Sequence, residues 1–248
     1  MKALSQSTMP SLFTILVVLV IIIIGFSETI VNSNILRPPP DPQKEKAIER
    51  LVVGLPASYT AQAAQALQSY PTWFLLKIKD IIWTNNTLGG NLGSYYVNQS
   101  TIAVDYLAPR GLAALVSHEL GHMIYYEVLT ATNRQFLDKE TNLTALEAGI
   151  PGLVVTPTDD EAFAYLNENY RLGVLNSILS QNLYLGESIC FPYTIVRPVL
   201  GNQTYTTATT ACVTMPGYMY PNVAPLNRPF FDSVAAFLLV LNEYGLST

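Results

Sequence analysis

The chain has 248 residues, of which 50% are hydrophobic and only 12% charged, with a formal net charge of -5. Such a length and apolar content allow one sizeable core with appendages, and no internal repeat marks a solenoid. The acidic balance, with no basic stripe and no RNA- or DNA-module signature, excludes nucleic acid as a partner, while a surface covered by Ser, Thr, Asn, Gln and Tyr suits a protein outside the cytoplasm.

Leu12 to Phe26 is an uncharged apolar run, preceded by Lys2 and ended by Ser27-Glu28. It has the length of a signal-peptide hydrophobic region, and its flanks would extend it towards the ~20 residues of a membrane span. Gly25-Phe26-Ser27 offers small residues for cleavage, but no Ala-x-Ala stands there. Residues 1–31 are therefore either a cleaved signal or an N-terminal anchor that ties the protein to a membrane; both export the remainder. Arg37-Pro38-Pro39-Pro40-Asp41-Pro42 is a stiff polyproline-like spacer, so 32–42 reads as a linker and 43–248 as the folded domain. Export agrees with Cys190 and Cys212, an even pair expected to form a disulfide, and with glycosylation sequons at Asn85, Asn98, Asn142 and Asn202.

Beyond the linker, Gln43 to Leu55 and Tyr59 to Ser69 read as helices, the second broken by Pro71. Trp73 to Lys79 continues as helix, and Asp80 to Thr84, β-branched and aromatic, reads as a strand. After a glycine-rich loop from Asn85 to Ser94 come strands at Tyr95 to Val97 and Thr101 to Leu107. In the latter Ile102, Val104 and Tyr106 alternate with Thr101, Ala103 and Asp105, the pattern of a half-buried strand.

His118-Glu119-Leu120-Gly121-His122 then follows on an apolar helix and uses both histidines of the chain. Residues four apart on a helix share a face, so both imidazoles can reach one metal ion with Glu119 at its edge. Zinc takes imidazole nitrogens, and a catalytic zinc keeps three protein ligands and one open position for water. Glu119 is then placed to take a proton from that water and pass it to a leaving amine. A buried helix whose histidines are satisfied by hydrogen bonds alone is the plain alternative. With no third histidine, the remaining ligand must be a carboxylate. Glu127, Asp138, Glu140, Glu147, Asp159, Asp160, Glu161 and Glu168 all follow His122, and Glu127 points away from it.

The segment Leu67 to Tyr126, with a helix ending at Pro71, an Ile-rich strand, a glycine-rich loop, Tyr95-Tyr96, the strand Thr101 to Leu107 and the His-Glu-x-x-His helix, resembles the catalytic domain of the anthrax lethal factor group. That group belongs to the gluzincin type of zincin metallopeptidases. The resemblance implies an α+β zincin-like domain with a small mixed sheet and a peptide or protein substrate. The substrate would lie along Thr101, Ile102, Ala103, Val104 and Asp105 as an added strand. It also implies a ligand glutamate on a second helix. Glu161-Ala162-Phe163-Ala164 is similar to the family pattern of Glu, aromatic, Phe, Ala, departing at Ala162, which makes Glu161 the third zinc ligand and Glu147 the runner-up. Two further departures stand out: Tyr165 replaces a usual Glu, and Leu153-Val154-Val155 lacks the family's upstream Tyr. Thr158-x-x-Glu161 is also a capping box, which would employ Glu161 without a metal.

Asn176 to Leu185 reads as helical and Cys190 to Pro225 as irregular or β. Phe230 to Tyr244 reads as an apolar core helix with Phe231, Val234, Leu238 and Leu241 in one stripe. Taken together, these features predict a zinc endopeptidase. A catalytically inactive zincin-fold binding or toxin-like module, and a structural envelope protein, remain as alternatives.

Overall fold

The computed structural model describes residues 41–85, 91–150, 158–176, 188–199, 203–214 and 228–247. The apolar run of 12–26, most of the Pro-rich spacer, the helix expected over Asn176 to Leu185 and the sequon at Asn202 lie outside these, wholly or largely. The architecture is α+β, and Pro42–Thr248 forms one unit.

Three helices open it. α1 (Pro42–Leu51) carries Glu45 in its first turn and Arg50 in its last, matching the helix dipole, and buries Ala47, Ile48 and Leu51. It ends four residues before the predicted Leu55. Gly54, at φ +86°, turns the chain there in a conformation open to glycine. α2 (Ala57–Gln68) and α3 (Thr72–Lys77) flank Pro71. Arg50 binds the end of α3 by donating to the carbonyls of Ile78 and Lys79, each at 2.7 Å.

The first sheet has three strands: β1 (Asp80–Thr84), β2 (Gly93–Tyr96) and β3 (Thr101–Asp105), in the order β1-β3-β2. β1 runs parallel to β3 and β2 antiparallel to it. This overturns two expectations. Thr101, Ile102, Ala103, Val104 and Asp105 form the central strand, with both hydrogen-bonding edges taken, so they cannot receive a substrate strand. β2 is the edge instead. β3 is also buried along its whole length, not half-buried. Its short side chains sit in register beside longer ones, Thr101 opposite Tyr96 and Ala103 opposite Ile82. The strand stops at Asp105, whose Oδ1 accepts from Leu107 N–H at 2.9 Å in a local turn.

α4 (Leu112–Met123) lies against β2 and β3, and every residue in it except Ala113 is buried. It runs on into a π-helical turn (Ile124–Val128), closed by Leu129 N–H on Ile124 O at 3.0 Å. α5 (Ala131–Glu140) and α6 (Leu143–Gly149) follow, each begun by a side-chain cap, Thr130 on Asn133 N–H and Asn142 on Ala145 N–H. α7 (Asp159–Arg171) returns to pack on α4. A two-stranded hairpin, β4 (Ser188–Val199) with β5 (Gln203–Thr214), pairs antiparallel and sets Cys190 opposite Cys212. The closing helix α8 (Arg228–Glu243) buries Phe230, Val234, Phe237, Val240 and Leu241, with Leu238 only at the margin of the predicted stripe. No described helix is long and apolar enough to cross a membrane.

The α4–α7 contact fixes the site. A Cβ on Gly121 would lie 2.7 Å from Ala164 Cα, so only glycine lets the two helices come this close. A buried polar network locks the same pair: Asn167 Nδ2 donates to Ser117 O at 2.7 Å and to Tyr70 Oη at 2.8 Å. Arg171 stacks over Tyr70 at 4.2 Å and donates to Leu246 O at 2.6 Å. Gly121→Ala must therefore separate the helices and should destabilise the fold by about 1–3 kcal/mol, as read from denaturant unfolding.

Candidate metal centre

His118 and His122 stand one turn apart on α4, their rings edge to face with centroids 5.0 Å apart. α7 opposes them. Glu161 Oε2 lies 3.3 Å from His118 Nε2, and its Oε1 lies 3.5 Å from His122 Nε2. One ligand atom from each of the three residues falls within 4.8 Å of the other two. Two imidazoles and a carboxylate turned to one point could hold a divalent ion.

The outer nitrogens face carboxylates as well. His122 Nδ1 is 3.4 Å from Asp160 Oδ2. His118 Nδ1 is 3.2 Å from Glu168 Oε2, an ion-pair distance without the alignment of a formed hydrogen bond. Each ring thus offers Nε2 to the centre and Nδ1 to an acid, the arrangement that orients a metal-binding histidine.

The other acids sort themselves by contact. Thr158 makes no side-chain cap bond at the start of α7, so the capping box does not form and Glu161 faces the imidazoles. Glu147 is exposed on α6 and outside the cluster. Glu127 accepts from Ser100 N–H and Tyr95 O–H, both at 2.8 Å, and from Ser100 O–H at 2.5 Å. It thereby ties the β2–β3 turn to the π-helical turn. Asp138 accepts from Tyr125 O–H at 2.7 Å.

A cleft of about 560 Å³ opens over the cluster between β2 and α7, lined among others by Gly93, Tyr95, Glu119, Tyr126 and Tyr165. Thr101 to Asp105 do not line it. Glu119 is buried on the β2 side, where Gly93 supplies its space: a Cβ at 93 would collide with the Glu119 carboxylate. Sequence reasoning missed Gly93 as well as the roles of Asp160, Tyr165 and Glu168. The spacing 161, 165, 168 was the available signal, since it puts three side chains on one face of a helix.

Burial alone would lower the His118 pKa, but the Glu161 and Glu168 carboxylates outweigh it and raise it to about 9. Contacts with His118 and His122 hold Glu161 well below the ordinary carboxylate range, against the effect of burial. Burial pushes Glu119 up, opposed by the charges of His118 and His122.

In the metal-free protein His118 is consequently charged at neutral pH, and a metal must displace its proton. The sign follows directly. The stabilisation from charged His118 is complete below its unfolded pKa of 6.5 and fades as pH rises through about 9. The affinity of this cluster for a divalent ion would grow over that same interval. The rise in melting temperature on adding a divalent metal should therefore increase from pH 6.5 to 9, and His118→Ala or Glu161→Ala should abolish it. No family model, curated protein or solved structure matches this chain.

Proposed function

We propose that the protein is a zinc-dependent endopeptidase of the gluzincin kind, with zinc held by His118, His122 and Glu161 and with Glu119 as general base. The observation that carries this reading is the convergence of the three donors beside a buried glutamate at the edge of a sheet. The donor set supports zinc in particular. Zinc takes imidazole nitrogen and carboxylate oxygen together, and Glu161 sets one oxygen 3.3 Å from His118 and the other 3.5 Å from His122, with one donor atom from each residue within 4.8 Å of the other two.

Bound there, zinc would supply a polarised scissile carbonyl and a water acidified towards a pKa of about 7. The chain's residues do the rest. Glu119, whose burial favours taking up a proton, removes one from the attacking water and delivers it to the leaving amine. Gly93 keeps the space beside that carboxylate clear. β2 pairs only with β3 among the described strands, so its outer edge offers backbone groups to an extended peptide. That edge takes the role expected of Thr101 to Asp105. Export supports the same reading. The apolar run of 12–26 would carry the domain across a membrane or anchor it there, Cys190 and Cys212 are register partners on adjacent strands, and Asn85, Asn98 and Asn142 are exposed to glycosylation.

Purified protein should hydrolyse members of a peptide library, and Glu119→Gln should lower kcat by about 10²- to 10⁴-fold while zinc stays stoichiometric. Gly93→Ala, which displaces Glu119 and spares the ligands, should also lower kcat with zinc retained. Stoichiometric zinc with no cleavage of any peptide would favour the binding module. A folded protein that takes up no zinc would leave the structural reading. Peptide mapping without reductant should recover Cys190 and Cys212 in one linked fragment.

A further inference from the structure

Glu168 approaches His118 from behind, and Glu168 itself is held. Arg110, in the turn ahead of α4, reaches across to α7 with Nε 3.2 Å from Glu168 Oε1 and Nη2 2.5 Å from Oε2. One planar guanidinium thus takes both carboxylate oxygens side-on. Oε2 has a second lone pair, and the nearest ring nitrogen to it is His118 Nδ1 at 3.2 Å. The guanidinium also lies over the Tyr165 ring, 4.6 Å from its centroid, and Nη1 donates to the Tyr165 hydroxyl at 3.4 Å. Tyr165 meets the His118 ring edge to face at 4.7 Å. The imidazole is therefore braced by an acid and by an aromatic ring that share one anchor. That anchor is itself fixed by a tight turn, in which Gly111 N–H bonds Ala108 O at 3.2 Å and Gly111 adopts φ +92°.

We infer that Arg110 is a positioning residue for the metal ligand His118. By clamping both oxygens of Glu168 it holds Oε2 3.2 Å from Nδ1, within reach of that nitrogen's proton, and so leaves Nε2 to the ion. Released from Arg110, Glu168 would turn about its own bonds, and the imidazole would lose both the partner that fixes its tautomer and the packing of Tyr165. A lysine cannot replace the clamp, because an ammonium does not present two parallel donors. This inference rests on the metal reading above and adds to it a residue outside the ligand set.

The test uses the whole chain, loaded with zinc. Zinc dissociation constants are measured by chelator competition for wild type, Arg110→Ala and Arg110→Lys, and imidazole nitrogen and carbon NMR signals are recorded for each zinc-loaded protein. Arg110→Ala should weaken zinc binding about 10- to 100-fold, with Arg110→Lys recovering only part of the loss. In wild type the His118 signals should report coordination through Nε2 and an Nδ1 proton protected from solvent exchange. In Arg110→Ala that protection should be lost at His118 and kept at His122, a difference that general destabilisation would not produce. Zinc affinity and His118 signals unchanged in folded Arg110→Ala would overturn the inference, as would wild-type coordination through Nδ1. If Arg110→Ala does not fold, the wild-type spectrum and Arg110→Lys decide. A wild-type protein that binds no zinc refutes the metal reading itself, whereas zinc bound equally by wild type and Arg110→Ala refutes only the role of Arg110.

Discussion

Everything at the site depends on how closely two helices approach. α4 brings both imidazoles and α7 brings the acids, and the two meet where the backbone at Ala164 presses against Gly121. Had residue 121 a side chain, α7 would stand further off and the Glu161 carboxylate would no longer lie between His118 and His122. The separation is set by steric contact and held by hydrogen bonds. Asn167 satisfies Ser117 O and Tyr70 Oη among fully buried residues, so the helices cannot slide without leaving buried polar groups unpaired. A glycine between the two histidines of the motif is thus a packing device, and the ligand geometry follows from it.

Charge adds a second constraint. The cluster gathers Glu119, Asp160, Glu161 and Glu168 around two histidines, with Arg110 answering Glu168. Carboxylates this close would repel one another in a partly buried site unless cations stand between them. In the metal-free chain a proton on His118 serves, which is why its affinity for that proton is raised. A divalent ion would serve with greater charge at the same place. The pocket is organised around positive charge even without a metal.

Much of this was legible in the sequence. The His118-Glu119-x-x-His122 spacing and the strands around residues 80–105 show in motif and periodicity, the second helix only through the resemblance, and the structure brings Glu161 to the histidines. What escaped depends on contacts distant in sequence. Strand order cannot be derived from alternation, and the resemblance alone implies an edge at Thr101 to Asp105, which the crossover makes central. α5 and α6 were overlooked because their apolar faces are short, although Thr130 and Asn142 announced both as caps. Arg110 and Glu168 are separated by 58 residues, and no local pattern links them.

The π-helical turn at Ile124–Val128 widens the helix by one residue in its last turn, and the facing of everything beyond it rotates by roughly 100°. Glu127 owes its direction to that extra residue, and through Ser100 and Tyr95 it moors the hairpin that carries Gly93. Chain length between Met123 and Leu129 is therefore under tighter constraint than side-chain identity there. Removing a single residue from this interval would swing the mooring acid off its hairpin and unfasten the cleft wall, whereas the exposed turn after Glu140 has no such duty to the cleft.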